Sequence, residues 1–253
     1  MAKELKELID EFLAQVPPPR ALIRAKEAEI FQQFQLKEPI LDLGCGDGSF
    51  AAITFDQPLT VGLDPLLNDL QEAKKRGIYE QTICASALQI PFPDQYFQTI
   101  ISNCVLEHIF ELERALGEIN RVLKPGGEAF FTVISNNFNQ WLLGRRLFGP
   151  LYTRFFNWHS HHYHTYDAEE WKKFFSKNNL KILKIIPYLD QTTIQFLDLL
   201  YYLSFPCLLN KTLFRRWLIC PRLNRTLWRR PFFYLLNRPV KEGAALFFHC
   251  QKK

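Results

Sequence analysis

Residues 39–50 read PILDLGCGDGSF. An apolar run rises to Asp42, and glycine then falls at every second position, at Gly44, Gly46 and Gly48. A short buried strand followed by bare backbone lets a ligand approach the main chain without Cβ obstruction. A helical start at Ser49 completes a strand–loop–helix unit. The next apolar run, LTVGLD at 59–64, again ends on an acid, Asp64. A carboxylate at the end of the neighbouring strand is placed to accept both hydroxyls of a ribose, so the two segments together predict a nucleoside site.

The charge around the loop selects among nucleosides. The spacing departs from the dinucleotide pattern G-x-G-x-x-G, because Ser49 stands where the last glycine would be, and no G-K-[ST] follows as in a P-loop. A pyrophosphate is held by helix-terminal N–H groups and is repelled by acids. Asp42 and Asp47 flank this loop and favour an ammonium group instead. A nucleoside carrying an amino acid, with its α-amino group at the loop and its ribose on Asp64, meets both requirements. S-adenosylmethionine (SAM) is such a molecule.

Outward from the loop, strands and helices alternate. Strands are predicted over 39–43, 59–64, 79–84, 97–103, 128–135, 181–189 and 244–250, with helices over 66–76, around Leu112–Leu123 and over 168–178. The third of these helices begins at Asp167 and Glu170, which have capping-box spacing, and the second is stopped by Pro125-Gly126-Gly127. This pattern predicts an α/β fold with a doubly wound, mostly parallel seven-stranded sheet, N-terminal helices, and a helical insertion before the last strand. The expected organisation is a helical cover over 1–38, a core over 39–190, an insertion over 191–241, and the last core strand over 242–253. Ligands in such sheets lie beyond the carboxyl ends of the strands, so the glycine loop, Asp64, the 85–88 turn and Asn103 are expected to converge.

Several segments also resemble, in order, the class I SAM-dependent methyltransferases, in particular the broad group that includes quinone and small-lipid methyltransferases. ILDLGCGDG is similar to that family's first motif and VGLDP to its second. ASALQIPFPDQYF resembles the third, ISNCVLEHI the fourth and EINRVLKPGGEAFFTV the fifth. HTYDAEEWKKFFSKNNLKILKI resembles the region that follows. The resemblance implies a Rossmann-like fold and SAM as cofactor. It implies that Gly44, Cys45 and Gly46 lie against the methionine part, with Asp42 near its amino group. Asp64 would take the ribose hydroxyls, Pro65 would border the adenine, Ser86 and Ala87 would lie at the adenine edge, and Asn103 would close the pocket near the methionine part. Ser86 stands where the family commonly has an acid; its hydroxyl accepts a hydrogen bond without charge assistance.

Methyl transfer needs little protein chemistry beyond positioning, since the cofactor supplies the electrophile. Where a base is needed, the candidates lie in WHSHHYHTYD: His161, His162, His164 and Tyr163, with His159 beside them and His108 after the fourth strand. The histidine spacing matches neither a zincin helix nor a zinc finger, and no metal site is expected. A solvated loop leading into the 168–178 helix is the alternative.

The chain has 253 residues, 47% hydrophobic and 15% aromatic, ample for a core. Its six cysteines (Cys45, Cys84, Cys104, Cys207, Cys220, Cys250) show no C-x-x-C and read as free thiols of a reducing compartment; Cys45 and Cys104 read as small packing residues. MAKELKELIDEFL is too charged for a secretory h-region, and no apolar stretch reaches eighteen residues. The expected location is therefore cytoplasmic. The net charge is +5, but residues 191–241 alone hold nine basic residues against one acid, Asp198. That segment is also rich in Trp, Phe and Leu, as in LFRRWLI (213–219), and resembles a membrane-surface element. The expected partners are a hydrophobic small-molecule or lipid-like substrate and an anionic membrane surface met through 191–241. The alternatives are an RNA methyltransferase, with nucleic acid as partner, and a non-catalytic SAM-binding scaffold.

Overall fold

The computed structural model describes residues 2–204, 218 and 220–253. Helix α1 (Leu5–Gln15) forms because its apolar residues recur on one stripe, and Glu4 and Glu7 cap its start reciprocally. The prolines at 17–19 then end α1 and open α2 (Pro18–Phe31), where a missing N–H costs nothing. The nucleotide-like half follows as β1 (Ile40–Leu43), α3 (Ser49–Thr54), β2 (Leu59–Asp64), α4 (Leu67–Arg76) and β3 (Tyr79–Cys84). The second half is β4 (Phe97–Asn103), a short 3₁₀ turn (Leu106–His108), α5 (Leu112–Val122) and β5 (Leu123–Ile134).

The chain continues through α6 (Asn136–Trp141), α7 (Leu143–Phe148), α8 (Pro150–Ser160) and α9 (Ala168–Lys177) to β6 (Leu180–Tyr188). Next come α10 (Gln191–Leu203), α11 (Pro221–Leu236) and β7 (Ala245–Lys252). The seven strands run in the order β3-β2-β1-β4-β5-β7-β6. All neighbours are parallel except β7, which pairs antiparallel with both β5 and β6. The strand order reverses between β1 and β4, and that switch point opens a crevice beyond their carboxyl ends.

Alternation along the strands builds two cores. Phe130 and Phe131 are adjacent on β5 and face opposite sides. Phe130, with Ile101 and Phe247, joins Phe12, Phe31 and Phe50 beneath α1, α2 and α3. Phe131, with Ile100 and Phe248, joins Trp171 and Phe175 of α9 and Leu116 of α5. The indole N–H of Trp171 donates to the Ile134 carbonyl at 3.2 Å, so this fully buried ring leaves no donor unmet.

Three features differ from the sequence expectation. Strand β5 starts at Leu123, directly after α5, so Pro125-Gly126-Gly127 lie within the strand rather than ahead of it. Residues 136–160 form three helices; α6 and α7, of six residues each, are too short to display a period, and α8 carries apolar residues on two faces. The stretch holding His159 is the last turn of α8, not a loop.

The insertion is largely cover. Helix α11 packs along α1, with Phe232 fully buried and Trp228 edge-on to Phe196 of α10. Arg229 pairs with Asp10 and Arg238 with Asp190. The amphipathic stretch LFRRWLI lies, apart from Leu218, outside the described residues. No helix among the described residues is long and apolar enough to cross a membrane. Because Phe232 fills the space between α10, α11 and α1, Phe232→Ala is expected to cost about 3–5 kcal/mol in urea unfolding. Leu223→Ala, on the exposed face of the same helix, should change stability by less than about 0.5 kcal/mol.

Candidate functional site

The glycine loop is bent back onto β2. The Gly44 and Cys45 amides both donate to the Leu63 carbonyl, at 2.7 and 3.1 Å. Gly44 sits at φ +78°, and a Cβ there would lie 2.4 Å from a Val105 methyl, so only glycine fits between the loop and the chain leaving β4. Gly46 also has positive φ (+53°), but a Cβ there would meet nothing within 4 Å. Its bare side therefore faces open space, a cradle for a ligand against the backbone. Cys45 is buried and packs in the core beneath, and its thiol is pushed up by burial, as suits a packing residue.

Asp64 locks this shape. Its Oδ2 accepts from the Gly46 amide at 2.9 Å and its Oδ1 from the Leu66 amide at 2.8 Å. A carboxylate offers about four acceptor positions, so each oxygen keeps one for a ligand hydroxyl. Pro65, Leu66 and Leu67 follow as an exposed apolar strip. Ser86 and Ala87 lie on the adjacent turn, where the Ser86 hydroxyl accepts from the Leu88 amide at 3.2 Å. On the outer side of that turn, an open groove runs against α5. Its Arg121 is saturated by Glu118, Asp94 and the carbonyls of Ile90 and Phe92, which makes it a latch rather than a ligand site.

Asp42 is buried on β1 and accepts from the Tyr79 hydroxyl at 2.6 Å. Gly62 makes this possible, because a Cβ there would strike the Tyr79 ring at 2.9 Å. Burial pushes the Asp42 carboxyl up to about 7; Tyr79 and Arg24 pull the other way and Asp64 adds to the rise. Asp47, by contrast, accepts from the Ser49 amide and hydroxyl and lies 3.5 Å from Arg76. The negative field at the loop is therefore carried by Asp42 and Asp64, with Asp47 spent on starting α3.

The periodicity gave no sign of a polar network on α2. Arg24 donates to Glu27 at 2.7 Å and to the Asn103 carbonyl at 3.3 Å. Glu27, fully buried, also accepts from the Tyr188 hydroxyl at 2.8 Å and the Cys104 thiol at 3.0 Å. Cys104 is thus part of a polar cluster rather than mere packing, and burial together with Glu27 keeps its thiol protonated. Asn103 accepts from Thr132 at 2.5 Å and its buried amide nitrogen has no partner. Glu107 is buried with one carboxylate oxygen unpartnered, and desolvation, with Glu27 adding, pushes it up to about 8. Arg24, Glu27 and Glu107 lie in segments that read as plain helix and turn; only their side-chain convergence marks them.

The histidine segment divides. His161 caps α8 at positive φ, and its carbonyl meets the His108 ring at 3.1 Å. His164 bonds the Ile109 carbonyl and stacks on Tyr166, and Tyr163 is more than half exposed. His162 alone turns inward, between His108, Phe138 and Phe156, with a buried ring nitrogen unpartnered. Burial, with His108 and His161 adding, pushes it down to about 3, so it is neutral at physiological pH. No group of three or more potential ligands among the described residues gathers to hold a metal.

The bare loop, an acid for an ammonium group, an acid for a ribose and a spare buried amide donor fit the SAM skeleton. Residues 41–131 match the family of methyltransferase domains. An uncharacterised protein of Methanocaldococcus jannaschii is 34% identical over 146 residues, 53% of this chain and 63% of that protein. The ubiquinone/menaquinone biosynthesis C-methyltransferase UbiE of Desulfotalea psychrophila is 37% identical over 95 residues, 35% of this chain and 38% of UbiE. The chain thus spans less than two thirds of either relative. The crystal structure of a SAM-dependent methyltransferase of Thermotoga maritima superimposes with a TM-score of 0.61 at 18% identity, covering 96% of this chain and 92% of that one. At that identity the likeness shows the fold.

The raised carboxyl of Glu107 has a thermodynamic consequence. An acid titrating near 8 when folded and near its ordinary value when unfolded supports the fold below about pH 4.5. That contribution is lost as pH rises towards 8, at about 1.4 kcal/mol per pH unit at most. Glu107→Gln should therefore lose less stability than the parent between pH 5 and 8, as read by urea unfolding at each pH.

Proposed function

We propose that this chain, which belongs to the SAM-dependent methyltransferases, moves a methyl group from SAM to a hydrophobic small-molecule or lipid-like acceptor at a membrane surface. The observation that carries the donor half is the pairing of a bare glycine loop with two buried acids, Asp42 behind it on β1 and Asp64 bonded to its Gly46 amide. SAM supplies an activated methyl group when bound. The protein's task is to hold donor and acceptor in line and to exclude water, and positioning of this kind supplies about 7–11 kcal/mol of a barrier.

In this reading Asp42 receives the ammonium group and Arg24, across from it, the carboxylate of the same amino acid. Gly44, Cys45 and Gly46 give the methionine part its backbone bed, and Asn103 offers its spare amide N–H. Asp64 takes the ribose hydroxyls on its two free acceptor positions. Pro65 and Leu66 cover the adenine, with Ser86 and Ala87 at its edge.

At the acceptor end, His162 stays neutral and contacts the acceptor through its unpartnered nitrogen, while Phe138 and Phe156 supply apolar walls. His161, His164 and Tyr163 frame that segment without entering it. The apolar walls, and a quinone-biosynthesis enzyme among the relatives, support a hydrophobic acceptor.

Two measurements test this. Binding of S-adenosylhomocysteine favours ionised Asp42, so complex formation releases a proton below pH 7. Affinity by calorimetry should rise between pH 5 and 7, by up to about tenfold per unit, and Asp42→Asn should flatten the profile. With methyl-labelled SAM and a membrane-containing extract, label is expected in the organic-solvent fraction and lost with Asp64→Ala. Label in RNA or protein would refute the lipid-like acceptor, and absence of S-adenosylhomocysteine binding would refute the donor site.

A further inference from the structure

Helix α8 has two apolar faces. Tyr152, Thr153 and Phe156 turn inward, where Tyr152 bonds Asp198 of α10 and Phe156 packs on Phe138 and Tyr201. Leu151, Phe155 and Trp158 recur at helical spacing on the other face and are 73%, 61% and 73% exposed. Leu147 and Phe148 at the end of the preceding α7 are also exposed, Phe148 stacking on Tyr152. Single exposed apolar residues are ordinary, but three large ones on one helix face, with two more exposed on the helix before it, mark an interaction site.

The charge around this face says what covers it. Residues 129–166 contain no acid and three arginines, Arg145, Arg146 and Arg154. Arg154 borders the exposed stripe on the side away from Tyr152 and Phe156. Arg146 and Arg154 are exposed and form no ion pair among the described residues. Large aromatic and aliphatic side chains flanked by unpaired arginines suit the headgroup–acyl boundary of an anionic bilayer. The face also borders the acceptor end. The chain leaving α8 runs to Tyr163, whose amide donates to the Glu107 carbonyl at 2.8 Å and whose exposed ring packs on exposed Phe110.

We propose that the α7–α8 face, rather than the basic insertion, is the surface by which this protein docks on an anionic lipid bilayer, with the acceptor end turned to the lipid. The proposal rests on the lipid-like acceptor for its purpose, but its test reads docking alone. The described end of the insertion is anchored on the core, since α11 buries Phe232, Leu235 and Leu236 and Arg229 and Arg238 form ion pairs, while Leu223, Leu227 and Tyr234 stay exposed on its other face.

The full chain would be sedimented with vesicles of phosphatidylcholine, alone or mixed with phosphatidylglycerol. The parent is expected to bind the mixed vesicles, more weakly at high salt. Leu151→Ser/Phe155→Ser/Trp158→Ser should lower partitioning about tenfold or more. Arg145→Gln/Arg146→Gln/Arg154→Gln should abolish the preference for anionic vesicles. Leu223→Ser/Leu227→Ser/Tyr234→Ser, on the exposed face of α11, should bind as the parent does. Retained affinity for S-adenosylhomocysteine shows that each variant folds and keeps the donor reading separate. Absence of vesicle binding by the parent would overturn the proposal. So would loss confined to the α11 variant, or an α8 variant that differs from the parent only by breaking a self-associated state in light scattering.

Discussion

The buried Arg24–Glu27 pair ties the covering helices to the sheet. Glu27 sits on α2, yet its carboxylate gathers a hydroxyl from the end of β6, a thiol from the residue after β4 and the guanidinium one turn before it. Residues 27, 104 and 188 are thereby fixed at one point above the crevice. A buried pair of this kind is weak evidence of net stability, but removal of one partner strands a charge and costs about 3–5 kcal/mol. The cost holds the roof of the site in one place. Arg24 in turn reaches the Asn103 carbonyl, so the same network sets the end of β4, where the spare amide of Asn103 waits.

Below that roof the site separates charge by environment. Both acids are buried, but Asp64 is held by two backbone amides, while Asp42 accepts from the Tyr79 hydroxyl. The two acids lie on adjacent parallel strands, Asp64 at the end of β2 and Asp42 one residue before the end of β1, and β1 is central while β2 is one place nearer the edge. An apo protein therefore carries an acid poised near neutrality at the loop and a second, Glu107, raised still further nearby. In the proposed donor site, ligand charge relieves the first. The second, with its unpartnered oxygen, is a standing cost that the fold carries next to the acceptor end.

The apolar surplus of the chain is distributed by the same economy of packing. Among the described residues of the insertion, Phe232 is buried and Phe196, Trp228 and Phe233 are partly so, which ties α10 and α11 to the helical cover, while Tyr201, Tyr202 and Tyr234 are exposed. The short helices between β5 and α9 do the reverse. They carry fewer arginines, and among the described residues Leu151, Phe155 and Trp158 on their outer face stay exposed.

By itself the sequence determined the sheet and its parallel core, with the glycine loop directly after β1. Local patterns sufficed there, because strand alternation has a period of two, a glycine loop is contiguous, and Asp42 and Asp64 lie at or next to the ends of their strands. Tyr79, Arg24, Glu27 and Glu107 were illegible for the opposite reason: each acts through a contact with residues far off in the chain, and nothing in its own neighbourhood differs from ordinary helix, strand or turn. The histidine segment shows both sides. Its composition drew attention to four rings and a phenol, and only the packing of α8 against the 3₁₀ turn decided that His162 enters the protein while His161, Tyr163 and His164 do not. Which apolar face is buried and which is left to solvent was likewise decided by the tertiary structure, since burial belongs to a pair of surfaces and a sequence lists only one of them at a time.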